Sequence, residues 1–312
     1  MNIIHIQGLI AAPFTPMHQD GSLNLSVIPD YYRLLKSNGN SGAFICGSTG
    51  EGVSLTTEEK KKVAEAWAGA TKEDADFKVI TLVGGNCIKD SIALARHAQS
   101  INLHAVAFTA PSYFKPANVH MLAQCCKEIA DAVQIPFYYY HIPVLTGVHF
   151  AMIDLIEALD GKVLNFAGIK YTHEDFMDYL SCLQFKNGKY DMLWGRDENL
   201  LSALVLGAKG GVGSTYNYAA PLYLKLISAY NEGDHARARI LQQQSIDMIR
   251  LLGKYGGIAT GKAYMKLIGL DCGEFRLPVK NMSEEQFRHF KDEVHGLGFN
   301  KFCSRFEERI RN

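Results

Sequence analysis

Short apolar runs alternate with longer amphipathic stretches along most of this chain. The strand-like runs are Gly8–Phe14, Gly42–Cys46, Val79–Val83, Ala105–Thr109, Phe137–His141, Phe166–Lys170, Asp191–Gly195 and Gly211–Thr215. Most are dense in apolar residues, the pattern of strands covered on both faces. Helical patterns fill the gaps. Thr56 or Thr57 caps a helix through Trp67, with Glu58 and Glu59 complementing the dipole of its first turn. Ala93–Ser100, Asn118–Val133 and Asp197–Leu206 read as further helices. Eight β–α alternations with no linker predict a parallel α/β barrel of the (β/α)8 TIM type. An open doubly wound sheet is the runner-up and fits less well, because no second domain follows. After Tyr216 the pattern is all helical, over Pro221–Tyr230, Asp234–Leu252, Thr260–Leu267 and Met282–His295. The expectation is one domain over 1–312, with a barrel to about 230 and a C-terminal helical extension from about 231 to 312.

Composition narrows the class. The 312 residues are 47% hydrophobic and 21% charged, ordinary for a globular protein. A formal net charge of zero argues against a broad nucleic-acid surface. No apolar stretch approaches the roughly 20 residues that span a bilayer, so no membrane partner is expected. Met1–Gln7 has no basic segment leading into an apolar core and does not read as a signal peptide. The seven cysteines include no Cys-x-x-Cys pair, and most sit in apolar segments. They read as small core residues of a protein in a reducing cytoplasm. No His/Cys/Asp set has metal-ligand spacing, so neither a metal nor another cofactor is expected.

In such a barrel the chemistry collects at the C-terminal ends of the strands. The second strand runs into Gly47-Ser48-Thr49-Gly50-Glu51-Gly52, which reads either as an anion cradle or as an ordinary glycine-rich turn. The fourth leads to Tyr113. The fifth ends in Tyr138-Tyr139-Tyr140-His141, where alternation puts Tyr138 and Tyr140 on one face. Tyr140, last on that face, is the one placed to move a proton. His141 lies on the other face and reads as packing. The sixth strand carries Lys170 at its end, with Thr172 two residues on and on the same side. A lysine there either snorkels to water or, desolvated, is a neutral nucleophile able to form a Schiff base. The seventh strand ends in Trp194-Gly195-Arg196-Asp197-Glu198 and the eighth in Gly213-Ser214-Thr215. The acidic pair either complements a helix dipole or binds hydroxyls of a polyol.

These segments, in order, resemble the pyruvate-dependent class I aldolases related to dihydrodipicolinate synthase. The match rests on Gly47-Ser48-Thr49-Gly50-Glu51, Tyr140-His141-Ile142-Pro143 and Gly168-Ile169-Lys170-Tyr171-Thr172. It covers essentially the whole chain. Leu145 stands where the synthase branch has a carboxylate-binding arginine, and a leucine cannot pair with a carboxylate. Gly195, Asp197 and Glu198 are similar to the Gly-x-Asp-Glu of the branch that cleaves sialic acids. The family often has asparagine where His141 stands, and its motif does not specify Arg196. The resemblance implies reversible cleavage of N-acetylneuraminate to N-acetylmannosamine and pyruvate. In it Lys170 forms the Schiff base, and Tyr140 and Tyr113 serve proton transfer, Tyr113 coming from a neighbouring subunit of a homotetramer. Ser48 and Thr49 hold the carboxylate. Thr172, Gly195, Asp197, Glu198 and Ser214 bind the sugar chain. A same-type aldolase for another 2-keto-3-deoxy acid, such as 2-keto-3-deoxygluconate, and a keto-acid-binding barrel without turnover are the alternatives.

Overall fold

The computed structural model describes residues 3–306. Among these, strands and helices alternate: β1 Gly8–Ala11, α1 Ile28–Ser37, β2 Asn40–Ile45, α2 Thr57–Ala70, β3 Lys78–Leu82, α3 Ile88–Ser100, β4 Ala105–Phe108, α4 Val119–Ala130 and β5 Phe137–His141. A single turn, α5 Pro143–Thr146, precedes α6 Met152–Leu159. Then come β6 Phe166–Tyr171, α7 Phe176–Gln184, β7 Asp191–Trp194, α8 Leu200–Leu206 and β8 Gly210–Gly213. Four helices follow: α9 Tyr216–Asn231, α10 His235–Lys254, α11 Thr260–Leu267 and α12 Glu284–Gly296. The eight strands are parallel and close in chain order, with β1 paired to β8, as the predicted (β/α)8 barrel requires.

Alternation sorts the strand residues into two cores. Ile10, Phe44, Ile80, Leu82, Tyr138, Tyr140, Leu193 and Val212 fill the barrel interior. Leu9, Ile45, Val79, Phe108, Tyr139, Ile169, Tyr171 and Trp194 face the helical ring. The tyrosine run of β5 thus divides as its period of two requires. At the closed lower end, Asp191 accepts hydrogen bonds from Tyr138 Oη at 2.9 Å and the Ile6 amide at 3.2 Å. Burial raises this carboxyl to about 7.

Several element bounds differ from the sequence reading. β1 ends three residues before Phe14, and β8 ends at Gly213 because Thr215 already turns toward α9. Asp197–Leu206 is a 3-10 turn, Asp197–Asn199, followed by α8. α9 starts at Tyr216 and carries Pro221 inside, with the helix kinked at Ala219, φ −139°. Helices α1, α5, α6 and α7 have no counterpart in the sequence reading. α2 does: Thr56 accepts from the Glu59 amide, and the Glu59 carboxylate returns to the Thr56 amide, a full capping box.

The glycine-rich loop after β2 is fastened to the C-terminal helices. Glu51, at φ +57°, turns its carboxylate to Lys262 of α11, Nζ to Oε1 2.8 Å, both side chains 3% exposed. Its other oxygen accepts from the Arg276 amide at 2.9 Å. Lys262 also donates to the Glu274 carbonyl at 2.8 Å and lies over the Phe275 ring. A buried charge left alone is strongly destabilising. Lys262→Ala strands the Glu51 carboxylate, and equilibrium denaturation should register a loss of about 3–5 kcal/mol; a loss under about 1 kcal/mol would show that the pair does not anchor the loop.

Candidate active site

A pocket of about 220 Å³ opens at the C-terminal end of the barrel. Its wall includes Ser48, Thr49, Tyr140, Leu145, Lys170, Thr172, Gly195, Arg196, Asp197, Glu198, Ser214 and Thr215. Every site residue expected from sequence is therefore gathered here except Tyr113. That side chain is 78% exposed and does not line the pocket of its own chain; it meets Phe114 edge-on, with ring centroids 5.1 Å apart.

Lys170 projects inward from the end of β6, in register with Tyr140 of β5. It is 4% exposed, which excludes the snorkelling alternative. Its Nζ sits 4.0 Å from the ring centroids of both Phe44 and Tyr140, which pack edge-to-face at 5.5 Å. Aromatic walls on two sides replace water, and burial disfavours the charged amine. The pKa of Lys170 falls to about 7, against the opposing pull of Asp197. At that value a large share of the amine is neutral at physiological pH, the state a nucleophile requires.

Burial also raises the Tyr140 phenol, while the neighbouring hydroxyls of Ser48 and Thr172 oppose the rise. Tyr140 is thus a neutral phenol among hydroxyls. Thr172 Oγ1 lies near Tyr140 but is buried without a protein partner in full hydrogen-bond geometry, so it is open to a ligand. Gly195 makes room for it: a Cβ there would stand 1.9 Å from Thr172 Oγ1.

Asp197 does not act as a helix-dipole residue. Its carboxylate crosses to the end of β8, where Oδ2 accepts from the Thr215 amide at 2.9 Å and from Thr215 Oγ1 at 2.6 Å. Oδ1 is buried and unpartnered, lying over Gly213, where a Cβ would come within 1.9 Å of it. Burial raises Asp197 to about 6, and the Thr215 hydrogen bonds and Lys170 pull the other way. Glu198 is half-buried and pairs with Arg196 Nε at 3.1 Å, while Arg196 Nη2 donates to Glu174 at 2.9 Å.

His141 packs among Tyr139, Tyr171 and His173, off the pocket wall. Burial lowers its pKa to about 3, helped by His173 and His149, so it is uncharged. The packing role expected of it is what the fold provides.

The sequence reading missed the wall supplied by Ile249, Leu252 and Ile258 from α10 and the turn after it. No local motif marks them; they are ordinary apolar positions of a C-terminal helix. It also missed Thr215, although that residue directly follows Ser214.

The pocket combines a near-neutral buried lysine, a phenol beside it, hydroxyls and amides after β2, and an acidic pair after β7. Such a set can condense with a carbonyl, hold an adjacent anion and bind a hydroxylated chain. A profile of the Dihydrodipicolinate synthetase family matches residues 5–296. The N-acetylneuraminate lyase of Danio rerio is 38% identical over 298 residues, 94% of this chain and 96% of that protein. The solved N-acetylneuraminate lyase of Proteus mirabilis superposes with a TM-score of 0.92 at 38% identity, covering 95% of this chain and 100% of that one. A dihydrodipicolinate synthase from Aquifex aeolicus gives 0.85 at 27% identity, over 94% and 99% of the two chains. On its fold, its strand-end residues and this similarity over nearly its full length, the chain belongs to the dihydrodipicolinate synthetase family.

Proposed function

We propose that this protein is a Schiff-base aldolase that cleaves N-acetylneuraminate reversibly to N-acetylmannosamine and pyruvate. The observation that carries the chemistry is the amine of Lys170, buried in the pocket with its pKa lowered to about 7. The lyases from Danio rerio and Proteus mirabilis support the substrate. So does Leu145 on the wall, which offers no cation to a second carboxylate.

The geometry supports the following steps. The Lys170 amine attacks C2 of the open-chain sugar acid, and water leaves to give an iminium. Ser48, Thr49 and nearby amides hold the C1 carboxylate. The C3–C4 bond breaks, its electron pair moves into C2–C3, and the iminium becomes an enamine. The C4 hydroxyl loses its proton to Tyr140, whose own proton passes to Ser48 as Ser48 hands its proton on along the relay, and N-acetylmannosamine departs as the aldehyde. The relay then runs in reverse and Tyr140 returns one proton to C3 of the enamine, and water hydrolyses the resulting iminium to release pyruvate. One water is lost and one regained, so none is consumed overall. Thr172, Gly195, Asp197, Glu198 and Ser214 bind the sugar chain. Polar groups a poor substrate leaves unpaired are penalised, so this row sets specificity.

Tyr113 enters as a residue given to a neighbouring copy, where it extends the relay from Ser48. Its exposure and its position away from its own pocket support that assignment, which needs at least a dimer; the homotetramer is what the family resemblance implies. The seven free cysteines fit the reducing cytoplasm as the place of action. Among the described residues no helix is long and apolar enough to cross a membrane.

Coupled pyruvate-release assays with N-acetylneuraminate beside other 2-keto-3-deoxy acids test the substrate; turnover of the latter alone would overturn it. Borohydride with pyruvate should add a stable mass to the peptide bearing Lys170. Because the neutral amine is the reactive form and its pKa lies near 7, trapping should rise with pH through about 7 and level off above it. An adduct on another lysine, or a midpoint near the usual 10.5, removes Lys170 from the role assigned. Tyr140→Phe should lower kcat by about 10²-fold or more and leave pyruvate trapping nearly unchanged; wild-type turnover would take Tyr140 out of proton transfer.

A further inference from the structure

Behind Asp197 runs a line of buried hydroxyls that the mechanism above does not use. Thr215 Oγ1 is 2.6 Å from Asp197 Oδ2 and 2.6 Å from Tyr223 Oη of α9. Tyr223 Oη is in turn 2.7 Å from Ser245 Oγ of α10. Thr215 is 2% exposed, and Tyr223 and Ser245 are fully buried. A carboxylate only accepts, so the direction of every proton in the line is set. Thr215 donates to Asp197, Tyr223 donates to Thr215, and Ser245 donates to Tyr223. All three O–H dipoles point toward the carboxylate, an order in which each bond polarises the next.

Two contrasts show that this is a built feature. Tyr216 and Tyr218, on the same helix as Tyr223 and as deeply buried, have hydroxyls with no partner. Only the tyrosine that reaches Thr215 is bonded. In addition, α10 holds the backbone of the same residue, since Gln242 Nε2 donates to the Asp197 carbonyl at 3.1 Å while its Oε1 accepts from the Leu201 amide at 2.9 Å. Side chain and main chain of Asp197 are thus both tied to helices that follow the last strand.

We infer that Thr215, Tyr223 and Ser245 are positioning residues for Asp197: they saturate Oδ2 and hold the carboxylate ionised, so that Oδ1 is left unpartnered for hydroxyl donors of the substrate's sugar chain. The inference rests on the sialic-acid reading above. Burial by itself drives Asp197 toward its neutral form, which has only one good acceptor oxygen and a proton of its own to place. Donors fixed on one oxygen oppose that tendency without occupying the other. Arg196 does not serve the purpose, because its guanidinium is engaged by Glu174 and Glu198.

The experiment compares wild type with Thr215→Val, Thr215→Ser and Tyr223→Phe on N-acetylneuraminate, and measures half-saturation of borohydride trapping by pyruvate alone. Pyruvate carries no polyol, so its half-saturation should stay within about two-fold of wild type in all three. For the nine-carbon substrate, losing a hydrogen bond to a charged group should raise KM roughly ten-fold or more in Thr215→Val, with kcat changed much less. Thr215→Ser restores the hydroxyl and should restore KM to within about three-fold. Tyr223→Phe, which removes the second donor and none of the pocket wall, should raise KM by a few-fold. The inference is overturned if Ser at 215 rescues no better than Val, if Tyr223→Phe has the wild-type KM, or if pyruvate trapping weakens in step with KM. If Tyr223→Phe does not fold, the Val–Ser comparison decides alone. Wild-type protein without activity on N-acetylneuraminate overturns the substrate reading and this inference together; wild-type activity with unchanged variant KM overturns this inference only.

Discussion

The structure turns on keeping water from one amine. Lys170 points into a closed barrel between two aromatic rings, and loss of solvent, against the pull of Asp197, brings its pKa to about 7. An open sheet would leave such a strand-end side chain a path to solvent. Closure of eight strands removes that path and directs the side chain into the pocket. Asp197 limits the effect. Among the described residues it is the acidic group that holds the Lys170 pKa up, and it is itself raised to about 6 by the same burial. The two groups therefore titrate near neutrality in the same small volume, and what stabilises the charge on one tunes the other.

The helices after the last strand belong to the site as much as the strands do. α11 supplies Lys262 to Glu51 and so fastens the loop carrying Ser48 and Thr49. α10 supplies Ile249 and Leu252 to the wall and Gln242 and Ser245 to the support of Asp197. The loop proposed to hold the carboxylate and the acid proposed to bind the sugar are thus fixed from the same side, by elements outside the barrel proper.

Much of this was legible from sequence, for a physical reason. A parallel barrel places each strand's last inward residue at one rim, so Lys170, Tyr140, Ser48 and Thr49 follow from strand ends and a period of two. What escaped depends on contacts between distant segments. Glu51 and Lys262 lie 211 positions apart, and nothing local in either segment reveals the pair. The bond between Tyr223 and Thr215 spans the kink at Ala219, which propensity does not encode. Helices α1 and α7 mix strong helix formers with weaker ones: α1 has two tyrosines beside its leucines, and α7 holds phenylalanine, aspartate, tyrosine, serine and cysteine. Both are held by packing. Asp197 was legible as a site residue but not in its bonding, because a helix-start aspartate and one that reaches across to the next strand end look identical in sequence.

The division of the pocket also bears on how one scaffold serves different keto acids. On one side of Lys170 lie the loop after β2 and Tyr140, to which the proposed chemistry at C1 to C4 is assigned. On the other lie Thr172, Gly195, Asp197, Glu198 and Ser214, on strands β6 to β8 and their loops. Two glycines on this second side are obligatory for steric reasons, since side chains at 195 and 213 would collide with Thr172 and Asp197. Both collisions are with polar atoms that have no protein partner, Thr172 Oγ1 and Asp197 Oδ1. Buried polar atoms are seldom left unpaired unless something else pairs them. Two such atoms, on neighbouring strand ends and each sheltered by a glycine, are placed to meet hydroxyls of a ligand reaching outward from the lysine. The unpaired atoms therefore mark the polar end of the pocket, as the desolvated amine marks its nucleophile.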